Sequence, residues 1–330
     1  MPPSAATNKK RLLLPETMTR AGWEFVASRD DVVGISYVPG MPTPEFHALL
    51  GDIDGVALSV TPFGEAELAA GPRLQVVGRL GVGYDAVDVP ALTRRRIPLM
   101  IVGTANSVTV AEHAMFMMMN LAKRGAALAA MVREGRWGDK FADRAVELYE
   151  KALLIVGFGR IGTRIAKRCL GMEMTVLVYD PYVSAATIRA AACQPIEDLD
   201  AAIPRADFVT LHCPKTAETT GLFDARRLAL MKPSAYLVNT ARGGIVDEAA
   251  LHEALSAGRL AGAGLDVFDR EPAPLDNPLF KLSNVVVTPH SAGGTQEAGD
   301  RSAIAAVRNL LSVLDGVPDR DNVVNKEVLD

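Results

Sequence analysis

ALLIVGFGRIGTRIAKRCL, residues 152–170, places an apolar run directly before three closely spaced glycines and an amphipathic run. This is the order of a β-strand, a tight turn and a helix whose first turn binds a pyrophosphate. The glycines are Gly157, Gly159 and Gly162, in the spacing G-x-G-x-x-G. Asp180 ends the next apolar run, 23 positions after Gly157, where an acid accepts hydrogen bonds from ribose hydroxyls. The stretch predicts a dinucleotide-binding sheet, and Asp180, which would repel a 2′-phosphate, favours NAD over NADP.

A second stretch, GVGYDA from Gly81, also follows an apolar run and contains closely spaced glycines. The residue 23 positions after Gly81 is Thr104, and no acid stands near it. Asp85 and Asp88 lie where a pyrophosphate would approach, whereas the first motif offers Arg160 there. We therefore expect the nucleotide at the first motif only. The backbone N–H groups of the GVGYD turn are instead candidates for holding a carboxylate.

Short runs rich in Val, Ile and Leu alternate with longer amphipathic runs, which is typical of strands and crossover helices around a parallel sheet. Five such runs precede residue 103: RLLLP, VVGISYV, DGVALSV, LQVVGRL and IPLMIV. Six more follow residue 151, the number in a complete dinucleotide-binding sheet: ALLIVG, MTVLVYD, DFVTLHC, AYLVNT, AGAGLDV and NVVVTP. The sequence predicts an α/β protein with two sheets.

The stretch between the two series, residues 106–137, predicts one long helix that links two domains. Thr109 and Glu112 have the spacing of a capping box at its start. Its methionines favour a packed helix or a subunit interface over a cofactor pocket. A further helix over about 295–315 suggests that the chain returns to the first domain.

Length and composition limit the classes of protein that the chain can represent. A length of 330 residues favours two domains, and 49% hydrophobic with 22% charged residues is typical of a soluble globular protein. The net charge of −4 gives no broad basic face, so we expect no nucleic-acid partner. The 3 cysteines are widely spaced, which suggests neither a disulfide framework nor a metal site and fits a cytoplasmic protein. No run has the length of a signal peptide or a membrane span, so we expect no membrane partner.

One histidine of the 5 stands at a place where ligands of open α/β sheets bind. His290 follows the last predicted strand in TPHSAGGT. His47 and His252 lie in amphipathic surface-helix contexts, and His113 lies in the connecting helix, so we expect structural roles for all three. His212 ends a strand and is expected to form a wall of the cofactor site. His290 is therefore the candidate proton donor and acceptor.

Two other strand ends carry unusual charge. LVNTARGG places Arg242 before two glycines, and GLDVFDREP carries Asp266, Asp269 and Glu271. A planar guanidinium can hold a carboxylate through two hydrogen bonds while it binds the neighbouring carbonyl oxygen. A carboxylate beside His290 would fix its tautomer and favour the protonated form.

These motifs, in this order and spacing, resemble those of the D-isomer-specific 2-hydroxyacid dehydrogenases, which include hydroxypyruvate and glyoxylate reductases and phosphoglycerate dehydrogenases. The resemblance covers nearly the whole chain and implies an NAD-dependent oxidoreductase that transfers hydride between NAD(H) and a small 2-oxoacid or its D-2-hydroxyacid. It implies that Arg242 binds the 2-oxoacid and that Glu271 pairs with His290, which passes the proton at the C2 oxygen. Asp266 would then lie near the nicotinamide carboxamide.

The predicted site residues form three sets. The catalytic residues are Arg242, Glu271 and His290. The cofactor-binding residues are Gly157, Phe158, Gly159, Arg160, Ile161, Gly162, Asp180, His212, Cys213, Pro214, Thr240, Ala241, Asp266 and Gly293. The substrate-binding residues are Leu80, Val82, Gly83, Arg242 and His290.

The resemblance also implies the architecture: two Rossmann-like, doubly wound parallel-sheet domains. An NAD-binding domain, residues 103–294, would be inserted into a flavodoxin-like substrate domain formed by residues 1–102 and 295–330. Members of the family are commonly homodimers joined through the long helix.

The chain departs from the phosphoglycerate branch at the end of the third strand. Phosphoglycerate-binding members carry an arginine there, whereas this chain has Ser59 and Thr61. We therefore expect an unphosphorylated 2-oxoacid such as hydroxypyruvate or glyoxylate. Phosphoglycerate dehydrogenase remains the alternative, with Arg79 as the candidate phosphate contact. Formate dehydrogenase, a relative without the glutamate partner, is disfavoured by Glu271. A co-repressor-like protein that binds NAD is the alternative from another class.

Overall fold

The computed structural model describes residues 9–142 and 144–330. They form two compact units. The first consists of two stretches of the chain, residues 9–106 and 294–330, and the second is Ser107–Gly293. The chain passes into the second unit after residue 106, four residues later than predicted, and returns to the first unit after residue 293, one residue earlier than predicted. The substrate and cofactor roles of the two units stay predictions.

The elements alternate along both units. The strands are β1 (Lys10–Pro15), β2 (Val32–Tyr37), β3 (Gly55–Leu58), β4 (Val76–Arg79), β5 (Leu99–Met100), β6 (Ala152–Val156), β7 (Thr175–Tyr179), β8 (Gln194–Ile196), β9 (Phe208–Leu211), β10 (Tyr236–Asn239), β11 (Gly262–Leu265) and β12 (Val285–Val287). The helices are α1 (Arg20–Ala27), α2 (Thr43–Leu50), α3 (Glu65–Ala70), α4 (Val89–Arg94), α5 (Ser107–Lys123), α6 (Gly125–Arg133), α7 (Gly162–Gly171), α8 (Ala185–Ala190), α9 (Leu199–Ala202), α10 (Ala225–Leu230), α11 (Glu248–Ser256) and α12 (Gln296–Leu314).

The first unit contains a parallel sheet in the order β2-β1-β3-β4-β5, which is the flavodoxin-like order. Its strands read as continuous apolar runs because both faces are covered. In β1, Leu13 packs in the cluster that includes Phe46 of α2, whereas Leu12 and Leu14 pack in the cluster that includes Val307 of α12. The alternation follows from the two-residue period of a strand.

The second unit contains a parallel sheet of seven strands in the order β12-β11-β10-β9-β6-β7-β8. From β8 to β11 this is the Rossmann order 3-2-1-4-5-6, with β12 added outside it. The predicted number of six strands is wrong because β8 was missed. Its three residues, Gln194–Ile196, are too few and too polar to show a strand pattern, and Pro195 is tolerated because the strand lies at the sheet edge.

The stretch predicted as one long helix is two helices. Arg124 adopts a left-handed conformation (φ 54°) between α5 and α6 and interrupts the first helix. The predicted capping box is also wrong, because α5 begins at Ser107 and Thr109 lies inside it. Met117 and Met118 are fully buried in their own unit. Among the described residues, no helix has the length and apolarity to cross a membrane.

Candidate active site

The glycine turn after β6 has the shape that a dinucleotide requires. Gly157 has φ +96°, and a Cβ there would lie 2.7 Å from the backbone nitrogen of Cys213. A Cβ on Gly162 would overlap the carbonyl oxygen of Gly157, so α7 could not start this close to the strand. Gly159 faces open space. Two glycines are therefore needed for packing, and the third leaves room for a ligand at the N-terminus of α7.

The side chains of the turn differ in exposure. Phe158 is buried and Arg160 is exposed. Ile161 directly precedes α7 and packs partly against the core. The predicted cofactor contacts of these three residues stay predictions.

Asp180 follows β7 and is tied to the glycine turn. Its Oδ2 accepts a hydrogen bond from the backbone N–H of Phe158 at 2.7 Å, and its Oδ1 accepts one from the backbone N–H of Tyr182 at 2.9 Å. Each carboxylate oxygen keeps a second lone pair for a further donor. The structure therefore brings Asp180 and the glycine turn together, in the arrangement that suits a ribose beside a pyrophosphate.

Two buried polar atoms without a hydrogen-bond partner mark the same sheet edge. Thr240 Oγ1 and His212 Nδ1 follow β10 and β9, neighbouring strands whose last residues pair. His212 Nε2 lies 2.9 Å from Thr210 Oγ1, and burial lowers the pKa of His212 to about 3, so the ring is neutral. Unpaired buried polar atoms are costly, and a dinucleotide crossing this edge would offer them partners. The residues present therefore fit NAD.

Cys213 and Pro214 follow His212 at the same sheet edge. Burial raises the pKa of the Cys213 thiol to about 11, so the thiol is uncharged. Pro214 is exposed. Gly293 closes the second unit, directly after the turn that carries His290.

Arg242 lies in a turn that the side chain of Asn239 holds. Asn239 accepts a hydrogen bond from the backbone N–H of Ala241 at 3.0 Å and donates one to the carbonyl oxygen of Arg242 at 2.9 Å. Gly243 passes so close to the loop after β11 that a Cβ would overlap the carbonyl oxygen of Phe268. These contacts fix the turn at the carboxyl end of β10 that carries the half-buried Arg242.

His290 and Glu271 form a hydrogen-bonded pair. His290 Nδ1 lies 2.6 Å from Glu271 Oε2, and the other carboxylate oxygen accepts the backbone N–H of Phe268 at 3.0 Å. The side chains of the pair are 47% and 36% exposed, so a ligand can reach them. Because Glu271 occupies Nδ1, Nε2 is the ring nitrogen left to exchange a proton with a substrate.

Asp266, predicted near the nicotinamide, is fully buried. Its Oδ1 accepts hydrogen bonds from the hydroxyl of Thr288 (2.6 Å) and the N–H of Ser291 (2.8 Å), and its Oδ2 accepts the N–H of Ala292 (2.9 Å). A direct contact with the nicotinamide would need surface that Asp266 does not expose here, so that role stays a prediction. The structure instead places its carboxylate under the turn that carries His290.

His113 is the site neighbour that the sequence reasoning missed. Its Nε2 lies 2.9 Å from Thr288 Oγ1 and 3.8 Å from Asp266 Oδ1. Its position in the connecting helix indicated only a structural role, and no sequence spacing relates α5 to the end of β12. The packing of α5 on this sheet is what brings His113 to the turn.

The predicted substrate residues of the first unit lie directly after β4. The backbone N–H of Leu80 donates to the carbonyl oxygen of Leu58 at the end of β3 (2.9 Å), Val82 lies in the bend that begins there, and Gly83 follows the bend. Arg79 Nε donates to the carbonyl oxygen of Gly83 at 2.8 Å, which folds the guanidinium back over this bend. The structure thus groups Leu80, Val82 and Gly83 at the carboxyl end of their sheet, and their substrate contacts stay predictions.

The Rossmann strand order and the glycine turn with Asp180 define a dinucleotide-binding α/β protein, and the exposed histidine–carboxylate pair is its candidate proton-transfer site. Residues 115–292 match the family model described as the D-isomer specific 2-hydroxyacid dehydrogenase, NAD binding domain. The chain belongs to the D-isomer specific 2-hydroxyacid dehydrogenase family. The predicted family, fold class and NAD cofactor are confirmed.

Curated relatives carry one activity in their names. The D-3-phosphoglycerate dehydrogenase of Mycobacterium tuberculosis is 40% identical over 310 residues, which cover 92% of this chain and 58% of that protein. The D-3-phosphoglycerate dehydrogenase of Archaeoglobus fulgidus is 40% identical over 270 residues, covering 82% of this chain and 51% of that protein. The chain thus spans little more than half the length of these relatives.

Solved structures agree on the fold. The D-lactate dehydrogenase of Aquifex aeolicus, complexed with NAD and lactic acid, superposes with a TM-score of 0.84 at 27% identity, covering 95% of this chain and 99% of that one. The NAD-dependent formate dehydrogenase of Staphylococcus aureus, in complex with NAD, gives a TM-score of 0.82 at 28% identity, with 95% and 98% covered.

Proposed function

We propose that this chain is an NAD(H)-dependent oxidoreductase that interconverts a small 2-oxoacid and its D-2-hydroxyacid. The observation that carries the proposal is the pair formed by His290 and Glu271, 2.6 Å apart and exposed to ligands. His290 follows β12 and Glu271 lies between β11 and β12, in a sheet whose β6–α7 turn fits a dinucleotide. Ligands of open parallel sheets bind at this carboxyl edge.

The chemistry divides between cofactor and protein. NAD(H) supplies or accepts the hydride at C2 of the substrate. In the direction of reduction, protonated His290 gives its Nε2 proton to the C2 oxygen, and in oxidation neutral His290 takes that proton back. Glu271 keeps the Nδ1 proton in place and stabilises the imidazolium. Arg242 binds the substrate carboxylate and polarises the neighbouring carbonyl.

The substrate class rests on the charge at the end of β3. Ser59 and Thr61 are neutral, so a phosphate there would lose hydration without gaining a bidentate cation. A compact, unphosphorylated 2-oxoacid such as hydroxypyruvate or glyoxylate is therefore the first candidate. The names of the curated relatives favour a second candidate, 3-phosphohydroxypyruvate, for which Arg79 would be the cation.

A steady-state assay separates these candidates. NADH oxidation is followed with glyoxylate, hydroxypyruvate and 3-phosphohydroxypyruvate, using the wild type and Arg79→Ala. We expect the highest kcat/KM with an unphosphorylated acid and little change in the variant. A preference for the phosphorylated acid that Arg79→Ala abolishes would establish the second candidate. Tight NADH binding without turnover of any 2-oxoacid would favour the NAD-binding co-repressor class.

We also propose a homodimer. The helix α6 has no buried residue, and the segment after it exposes Trp137 (65%) and Phe141 (69%). Large exposed apolar side chains in one region are typical of a protein–protein interface. Light scattering of the wild type should give the mass of two chains, and Trp137→Glu should shift the mass toward one chain. A monomeric wild type would refute the dimer.

A reducing cytoplasm is the proposed location. The three cysteines are free, and two of them, Cys169 and Cys193, are buried. Free buried thiols are typical of a compartment that keeps cysteines reduced. Fractionation of cells that produce the protein tests the location, and recovery outside the cytoplasm would contradict it.

A further inference from the structure

Three consecutive backbone N–H groups wrap around Asp266. That of His290 donates to its carbonyl oxygen at 2.7 Å, and those of Ser291 and Ala292 donate to its two carboxylate oxygens at 2.8 and 2.9 Å. The successive N–H groups of Ser291 and Ala292, which converge on the carboxylate, form a nest. His290 has φ +51°, a left-handed conformation that a residue with a Cβ adopts only where its surroundings hold it. The Asp266 carboxylate therefore holds the turn that presents His290.

A fully buried carboxylate needs donors or a cation around it. His113 approaches this carboxylate from α5, with its Nε2 3.8 Å from Oδ1. The remaining donor besides the nest is the hydroxyl of Thr288, 2.6 Å from the same oxygen. His113 and Thr288 thus complete the environment of this charge from α5 and from the end of β12.

His113, Thr288 and Asp266 form a chain of hydrogen bonds, and the hydroxyl of Thr288 fixes its direction. It has one proton, which it donates to Asp266, because an ionised carboxylate can only accept. Its oxygen must then accept from His113 Nε2, 2.9 Å away, so that nitrogen carries a proton. Hydrogen bonds arranged in one direction strengthen one another. The ring is 18% exposed and packs against Phe116, which keeps it oriented toward Thr288.

We infer that His113 is a positioning residue for His290: through Thr288 it holds the Asp266 carboxylate, which in turn holds the His290 turn. The inference rests on the proposed function only where it assigns His290 the proton transfer. The geometry of the turn can be measured without any turnover.

The test compares His113→Leu with His113→Gln, whose amide N–H can replace the Nε2 donor. The matched control is His252→Leu, because His252 lies on another helix of the same unit, where its Nε2 lies 3.3 Å from the hydroxyl of Ser256. Amide hydrogen exchange of Ser291 and Ala292 is followed by NMR in the cofactor-free protein. We expect exchange to accelerate roughly tenfold in His113→Leu and to stay at the wild-type rate in His113→Gln and in the control.

Kinetics give the second readout. In His113→Leu we expect kcat to fall roughly tenfold or more, because a misplaced catalytic group loses rate, while KM for NADH changes less than about twofold. His113→Gln should recover most of kcat. Unchanged exchange and unchanged kcat in His113→Leu would overturn the inference, as would a loss in His113→Gln equal to that in His113→Leu.

If His113→Leu fails to fold, variants of Thr288, which lies between His113 and Asp266 in the chain of hydrogen bonds, test the inference instead. Thr288→Val removes the hydroxyl, and Thr288→Ser keeps it. Thr288→Val should reproduce the faster exchange of Ser291 and Ala292, whereas Thr288→Ser should not; equal exchange in the two variants would overturn the inference. If no 2-oxoacid is turned over by the wild type, the proposed function fails, whereas the exchange rates still decide the positioning role.

Discussion

Replacing Glu271 with glutamine removes one negative charge beside His290 and preserves the size of the side chain. The carboxylate oxygen lies 2.6 Å from Nδ1, which puts the centres of the two delocalised charges about 4 Å apart. At that separation the attraction is about 4 kcal/mol for an effective dielectric constant of ~20 and about 1 kcal/mol in bulk water. Because the side chains are 47% and 36% exposed, solvent screens the pair, and its interaction is about 1 kcal/mol, the upper end of the range for exposed ion pairs.

That energy favours the imidazolium that gives the proton, so Glu271→Gln should lower kcat/KM for 2-oxoacid reduction roughly fivefold. The amide can still accept the N–H of Phe268, so the loop is expected to keep its conformation. The matched control is Glu253→Gln, which removes an exposed carboxylate paired with Arg259 on the same unit. It should leave kcat/KM unchanged.

The assay is NADH oxidation at saturating cofactor, run in the wild type, both glutamine variants, His290→Ala and the double variant Glu271→Gln/His290→Ala. If Glu271 acts through His290, its substitution should cost nothing further once His290 is absent. A Glu271→Gln enzyme within about twofold of the wild type, or an equal loss in the His290→Ala background, would refute the role assigned to the pair.

Asp180→Asn should keep the hydrogen bond from the N–H of Phe158 in the glycine turn but remove the negative charge. The ratio of kcat/KM for NADH to that for NADPH should therefore fall roughly tenfold or more. Equal use of the two cofactors by the wild type would contradict the role assigned to Asp180. Gly159→Ala, in open space, should leave the melting temperature unchanged and weaken NADH binding, whereas Gly162→Ala, whose Cβ would overlap a carbonyl oxygen, should lower the melting temperature; the reverse order would contradict the packing. Burial lowers the pKa of His212 from 6.5 to about 3. As pH falls below about 6.5, the unfolded chain therefore binds a proton at His212 that the folded chain does not bind, and the free energy of unfolding decreases. Between pH 7 and pH 5 this group should cost about 2 kcal/mol of unfolding free energy, and His212→Phe should remove that part of the acid sensitivity in denaturant titrations; an equal pH dependence in both proteins would contradict it.

Much of the fold was predictable from local sequence because most strands are buried on both faces. ALLIV in β6 and GVAL in β3 are apolar throughout, and the alternation of such runs with amphipathic ones indicated parallel sheets before any contact was known. The glycine turn and Asp180 were predictable because each depends on a spacing of fewer than 25 residues. The strand β8 was not predicted because its three residues, one of them a proline, are too few to show an alternating pattern. The start of α5 was predicted wrongly because a T-x-x-E spacing also occurs inside helices.

The parts of the site that depend on packing between distant elements were not predictable from spacing. His113 and Thr288 are 175 residues apart in the chain and meet only because α5 packs on this sheet. The burial of Asp266 likewise follows from the turn folded over it by Ser291 and Ala292, which no pattern in GLDVFDREP indicates. The pairing of Glu271 with His290 came from the resemblance to a family, because the residues alone left several acids as candidates.

The most direct test of the central claim is stereochemical. NADH formation from NAD is measured with D-glycerate and with L-glycerate, using the wild type and His290→Ala. Our account predicts that the wild type forms NADH with the D-isomer and not with the L-isomer. It also predicts that His290→Ala loses roughly 10²- to 10⁴-fold of that rate while NADH binding, followed by its fluorescence, is retained. NADH formation from L-glycerate at an equal or higher rate, or a fully active His290→Ala enzyme, would contradict the account.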